Sequence, residues 1–301
     1  MAGISVAQVK SAAFTGVALV STSDGRVISE LERFDDPTSD QAGGAFDGSY
    51  AVWKDYRTPA DLSDFTVHVW NRQSGAVRTV GAAHRDAHGA IAPSPWQDPV
   101  VSGGYAAWVE GLDQAGRGEI VLLDLHTMRR HIVRRGHPGW LALTPHLLIW
   151  SESPTPGAET VVHAMEPSTR RAVPVPVALA NATGAWGFVS DGQGWAWVGD
   201  DSKAVYLAPS ADQAPTRVMG VSMGGFSPPL TMVHGALAVP LSAGGLVLVN
   251  TRTRSYAVLP DAGFASAAGT SLLVRQENRS KQTTVRSPAE ISGAALSAMH
   301  C

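Results

Sequence analysis

Cysteine is almost missing from this chain of 301 residues: the single thiol is Cys301, the last position. An internal disulfide is excluded, which suits a reducing compartment. Lysine is nearly as rare, at Lys10, Lys54, Lys203 and Lys281 only, and arginine carries the rest of the positive charge. Together with abundant alanine and glycine, this bias points to a GC-rich bacterial genome. Charged residues are 16% of the chain and the formal net charge is −3, so no basic footprint calls for nucleic acid or an anionic membrane. No apolar run is long enough to span a bilayer. The opening stretch MAGISVAQVKSAAFTGVALVSTSDG, broken by Thr and Gly, makes a poor signal peptide and reads as strands. The expected location is the cytoplasm. Also lacking are a Gly-x-Gly-x-x-Gly turn, a Walker loop, His-Glu-x-x-His, a zinc-type cysteine set and a Gly-x-Ser-x-Gly elbow. Nucleotide-dependent chemistry and covalent serine or cysteine catalysis therefore find no support.

What the chain does contain is a repeat. GSYAVW (48–53), GGYAAW (103–108), PHLLIW (145–150) and GQGWAW (192–197) keep five steps from turn residue to tryptophan. HGALAV (234–239), GTSLLV (269–274) and TGVALV (15–20) keep the spacing and end in valine. Each copy follows an aromatic that comes after a small residue or proline: Phe14, Phe46, Trp96, Trp140, Trp186, Phe226 and Phe264. After it come two alternating apolar stretches around a polar turn, as in FTVHVWNRQSGAVRTVG and GLVLVNTRTRSYAVLP. That alternation marks paired antiparallel strands, and no segment shows a long apolar period of 3.6. The chain reads as all-β. Units of roughly 40 residues with about four strands each are the pattern of propeller blades. We expect one domain over residues 1–301, a single β-propeller whose terminal segments close the ring, with seven blades favoured and six as the alternative.

Units built as aromatic, short strand, DG or GG turn, xxAW, then a hairpin such as VHVWNRQSGAVRTV resemble the blades of TolB-like and YncE-like propellers. The resemblance covers most of the chain, blade by blade. It implies the fold and carries no shared catalytic residue.

In a propeller the connections between blades and the residues beyond the second strand share one face. Four acids follow the tryptophan anchors at two or three residues: Asp55, Glu110, Glu152 and Asp200. Beside the leading aromatics Trp96, Trp140, Trp186, Phe226 and Phe264, they form the expected substrate-binding wall. The plain alternative is that these acids solubilise a hairpin mouth. Trp53, Trp108, Trp150 and Trp197 are expected in the core. The longest connection, AAHRDAHGAIAPSPWQDP (82–99), holds His84, Asp86 and His88 at alternate positions, which project to one side of an extended segment. They are candidate catalytic groups with His137 of GHPGW, as bases with Asp86 orienting. His84, Asp86 and His88 are also the one place where a divalent metal could sit; no other cofactor is expected. A solvated loop is the competing explanation. Arg129, Arg130, Arg134 and Arg135 read as a charged edge.

The expectation for function is a soluble bacterial enzyme binding a small organic substrate at the face of the blade connections and acting as lyase, hydrolase or cyclase by acid–base chemistry. The alternative is a protein-interaction scaffold, with a carbohydrate-binding lectin third. The expected partner is a small-molecule ligand, with a protein partner left open and neither nucleic acid nor membrane.

Overall fold

The computed structural model describes residues 4–10, 13–21, 26–34, 41–56, 64–85, 88–93, 97–155, 158–199, 204–220, 230–241, 244–260, 262–268, 271–277 and 283–285. Strands β1 (Ile4–Lys10), β2 (Thr15–Ser21) and β3 (Val27–Arg33) form a three-stranded sheet in chain order. Next, β4 (Gln41–Phe46), β5 (Tyr50–Tyr56), β6 (Phe65–Asn71) and β7 (Val77–Ala82) form a four-stranded antiparallel meander.

A seven-stranded sheet follows: β8 (Val100–Ser102), β9 (Tyr105–Gly111), β10 (Gly118–Asp124), β11 (Arg129–Leu143), β12 (Leu148–Ser153), β13 (Val161–Glu166) and β14 (Arg171–Ala172). It is two meanders sharing one long strand, because residues 129–136 of β11 pair with β10 and residues 137–143 pair with β12. The segment GHPGW is thus extended strand that passes from one meander to the next.

Past a short 3-10 turn at Val177–Leu179, β15 (Trp186–Ser190), β16 (Trp195–Val198), β17 (Ala204–Ala208) and β18 (Thr216–Gly220) form the next four-stranded meander. A further one is β19 (Thr231–Val233), β20 (Ala236–Pro240), β21 (Leu246–Asn250) and β22 (Tyr256–Leu259), and β23 (Ala262–Ala268), β24 (Ser271–Glu277) and β25 (Thr283–Val285) add three strands. The described residues of Val6–Val20 and Val27–Val173 form one compact unit; those of Met1–Ser5, Ser21–Arg26 and Pro174–Cys301 form the other. No helix among the described residues is long and apolar enough to cross a membrane.

The burial pattern explains why the anchors recur. Strands β5, β9, β12, β16 and β20 are buried on both faces along nearly their whole length, as strands between two packed sheets must be. Outer strands β7 and β22 stay largely accessible. Trp53, Trp108, Trp150 and Trp197 are all buried, as expected of core, and three of them stack on the residue directly opposite: Trp53 on His68, Trp150 on His163, Trp197 on Tyr206. The leading aromatics do not share one structural place. Trp186 opens β15, Phe46 closes β4, Trp140 lies within β11 and Phe14 sits between β1 and β2. Their distance in sequence from the anchor varies, so they fall at different points of the first strand.

The outer hairpins share one turn. Asn71, Asp124 and Asn250 each accept N–H bonds at their side-chain oxygen from the residues two and three ahead. The residue four ahead is left-handed: Gly75, Met128 and Arg254, with Arg170 alike after Glu166.

Candidate functional site

Strand β5, YAVWKDY, is where the repeat departs furthest from a packing template. Successive side chains of a strand point to opposite faces. Trp53 and Asp55 share the face toward β3, and Lys54 and Tyr56 the face toward β9 and the segment before β8. Lys54 is fully buried, at a place where the aligned strands carry Val109 and Val198. Its Nζ donates to the Val109 carbonyl at 3.3 Å and stands 4.3 Å from the centre of the Phe65 ring. Burial pulls its pKa down to about 8, against the opposing charges of Asp98 and Glu110.

Asp98 completes this group. It lies in the long connection between β7 and β8, over Gly43, which pairs with Lys54 across β4 and β5. A Cβ on Gly43 would collide with the Asp98 carboxylate, so glycine is what admits the acid here. Tyr56 Oη approaches Asp98 Oδ1 at 3.5 Å. Residue 98 keeps accessible surface, while desolvation is the largest influence on its carboxyl, raising its pKa against the Lys54 charge and the Tyr56 hydroxyl. The carboxylate itself is turned onto Gly43, so the desolvation falls on the carboxyl while the accessible surface is that of the residue as a whole. Burial, then the charge and hydrogen bond of Asp98, push the Tyr56 phenol far up. Chemically this is a carboxyl able to hold a proton above the usual range, with a phenol beside it and an ammonium behind.

On the other face of β5, Glu32 of β3, Asp55 and His68 of β6 bring one donor atom each within 4.8 Å of one another, all half-buried. His68 Nε2 lies 3.6 Å from Glu32 Oε1, and Trp53 Nε1 donates to Glu32 Oε2. Thr79 Oγ1 is 3.2 Å from His68 Nδ1 and Thr66 Oγ1 is 2.8 Å from Nε2. This is the cluster among the described residues whose donor set fits a metal.

Three of the four acids beyond the anchors do not emerge at a mouth. Asp55, Glu110 and Glu152 lie inside β5, β9 and β12, because each anchor strand goes on pairing with its hairpin partner past the tryptophan. Glu110 accepts the Trp108 Nε1 hydrogen bond at 2.7 Å and an Arg130 ion pair at 2.6 Å. Arg130 also reaches Glu119 at 2.8 Å, and Glu119 meets Arg135 at 3.0 Å. Glu152 is paired with Arg134 at 2.8 Å and stands 3.5 Å from His163. Arg130, Arg134 and Arg135 of the arginine run are thus neutralised by buried carboxylates.

Other candidates are scattered. His84 and His88 are exposed, His88 in a turn, and the Asp86 expected between them lies outside the described residues. The Arg85 between them bridges to Asp64 at 2.9 Å. His137 is half-buried within β11, its Nδ1 3.1 Å from the Gly116 carbonyl. Trp140 and Trp186 are half-buried, in different sheets. Asp86, Trp96, Asp200 and Phe226 lie outside the described residues, as does the side chain of Phe264. A pocket of about 350 Å³ lies against Ala90, Ala92, Leu112, Asp113, Gln114 and Ala115; its acid is held by Arg117, whose hydrogen bond lowers the Asp113 pKa, so the pocket offers no group for acid–base work.

Of the expected site residues, the structure joins Glu110 by its charge to the Lys54 group and Asp55 to Glu32 and His68. Lys54, Tyr56, Asp98, Glu32 and His68 were not anticipated. A weak signal for Lys54 existed: it shares a face with Val52, and the aligned strands β9 and β16 carry valine there, although β12 carries Ser151.

No protein family model matches the chain, and no curated protein does. Among solved structures, a chain of a nidogen/laminin complex aligns with 86% of this chain and 93% of its own length, at 10% identity and a TM-score of 0.52. PorZ of Porphyromonas gingivalis, a surface component of the type-IX secretion system, aligns with 96% of this chain and 39% of its own length, at 13% identity and 0.53. TolB of Acinetobacter baumannii aligns with 94% and 80% at 15% identity and 0.49. The fold is a β-propeller. At these identities the likeness extends to architecture alone.

Proposed function

We propose that this β-propeller is an enzyme that binds a small organic substrate over Asp98 and works on it by acid–base chemistry of the lyase, hydrolase or cyclase kind. The observation that carries this reading is Asp98 itself: a carboxyl with a raised pKa, on a residue that keeps accessible surface, set between a fully buried lysine and a buried phenol. It stands in the longest inter-blade connection, the face where a propeller gathers its loops. Asp98 is the group that meets substrate and gives or takes the proton. Tyr56 and Lys54 position it and set its charge. Seven blades are the reading of the strand pattern: five four-stranded meanders, two of them sharing β11, and two three-stranded sheets near the ends of the described chain.

The test is a thermal-shift screen of small organic acids, amines and alcohols against wild type and Asp98→Asn. At least one compound should stabilise the wild type and lose tenfold or more in affinity for the variant. The reading is overturned if nothing binds, or if every binder is indifferent to the substitution.

A scaffold is the second reading, favoured by apolar side chains left exposed on outer strands: Val77 (43%), Tyr256 (50%) and Val258 (52%). Complementation of a deletion strain separates the two. Failure of Asp98→Asn supports the enzyme. Failure only of the Tyr256→Lys, Val258→Lys double variant supports the scaffold.

A further inference from the structure

We propose that Glu32, Asp55 and His68 form a binding site for a divalent transition-metal ion that ties β3 of the first sheet to β5 and β6 of the second. The inference is independent of the reading of Asp98, which lies on the opposite face of β5.

The argument starts from charge. Two carboxylates from different strands stand within 4.8 Å of each other in a half-buried place, and like charges so close need a cation or a proton between them. Glu32 is not supplied with one by arginine or lysine: among the described residues its partners are the Trp53 indole and His68. The third donor is an imidazole. One nitrogen with carboxylate oxygens is a set that suits zinc, manganese or ferrous ions rather than calcium or magnesium, which prefer oxygen alone.

Geometry supports the same reading. Bonds of about 2.0–2.2 Å place tetrahedral ligand atoms roughly 3.3–3.5 Å apart. His68 Nε2 and Glu32 Oε1 are already at 3.6 Å, so closing the site takes small side-chain rotations. Groups around the donors hold them in aim. Thr79 Oγ1 backs Nδ1 at 3.2 Å, the position from which the second nitrogen of a metal-bound histidine is usually held. The Trp53 ring lies stacked on the imidazole, 5.4 Å between centres, while its N–H takes Glu32 Oε2 and leaves Oε1 facing His68. Thr66 Oγ1, 2.8 Å from Nε2, occupies the direction a metal would use and has to turn aside or become a further oxygen ligand.

The experiment is calorimetric titration of the chelator-treated full chain with Zn2+ and, separately, Mn2+. One ion per chain should bind, and the melting temperature should rise with its concentration. Glu32→Gln and His68→Gln should each weaken binding tenfold or more, while His84→Ala with His88→Ala leaves it unchanged. X-ray absorption of the zinc-loaded wild type, which needs no variant to fold, should show an N/O shell with a single imidazole. Absence of saturable binding, binding that survives loss of Glu32 and His68, or a shell with two imidazoles would each overturn the site.

Discussion

The sheets from β4 to β14 and those from β15 to β22 are built on the same meander, yet their interiors differ in kind. The former bury Lys54, Glu110, Glu119 and Glu152 and tie the three glutamates to Arg130, Arg134 and Arg135. In the latter the main cluster is aliphatic side chains and methionines, from Ala196 through Leu207 and Met232 to Val249, and no ion pair is seen among the described side chains. Both solutions satisfy the same backbone, so the blade does not need charge to hold together. Charge at the ends of β5, β9 and β12 is an addition to the template. The candidate chemistry clusters there, on the two faces of β5.

The largest expected test of that contrast is Lys54→Met, which gives β5 the apolar interior of its counterparts. Below pH 8 the lysine is protonated in both folded and unfolded chains, and the folded state carries the whole cost of burying the charge. Between about 8 and 10.5 the folded form loses its proton while the unfolded form keeps it, so wild-type stability should climb with pH through that window. A fall of 10.5 to about 8, at about 1.4 kcal/mol per unit, puts the gain from Lys54→Met at up to about 3 kcal/mol at pH 7. Urea denaturation at pH 7 and pH 9.5 checks it: the variant should be the more stable at the lower pH, and the gap should shrink at the higher. Wild-type stability that is flat from pH 8 to 9.5 would contradict a buried, charged lysine.

A middle-sized effect separates two anchors that look alike in sequence. Trp108 donates its indole N–H to Glu110 at 2.7 Å, whereas the buried N–H of Trp150 has no hydrogen-bond partner among the described residues. Trp108→Phe and Trp150→Phe lose similar volume, so their difference isolates the hydrogen bond. Trp108→Phe should be the more destabilised by about 1–3 kcal/mol, because it also strips a donor from a buried carboxylate. Equal unfolding free energies for the two would show that Arg130 alone satisfies Glu110.

The packing of this fold was legible because it is written as repetition. Five-residue spacing to an anchor, polar turns and alternating hairpins recur, and each copy of the pattern became a strand pair. The candidate sites were less legible because they are made of departures from the repeat that meet only in space. Asp98 comes from a connection, Lys54 from an anchor strand and Glu32 from the preceding sheet; no local spacing joins them. The acids beyond the anchors misled for a definite reason. Asp55, Glu110 and Glu152 were placed at loop mouths by analogy with turns, but strand pairing runs on beneath them and turns them inward, toward arginine or histidine.

The smallest effect concerns the outer hairpins, where the two regions share one turn and differ in the residue that closes it. After Asn71 the left-handed position is Gly75 at φ 68°, but after Asn250 it is Arg254 at φ 61°. Both accept the same closing geometry, a hydrogen bond at 2.8 Å from their N–H to the carbonyl four residues back. An L-residue held left-handed costs about 1–2 kcal/mol, partly offset by the greater freedom a glycine gives the unfolded chain. Arg254→Gly should therefore stabilise by roughly 0.5–1 kcal/mol, and Gly75→Ala should destabilise by about as much. Arg254 is the informative choice, since Met128 packs against core residues and Arg170 bonds His131, so glycine there would remove a contact as well as strain. Paired melting curves of the two variants are the measurement. A loss of stability in Arg254→Gly would mean that the arginine side chain contributes more to that turn than the backbone strain costs.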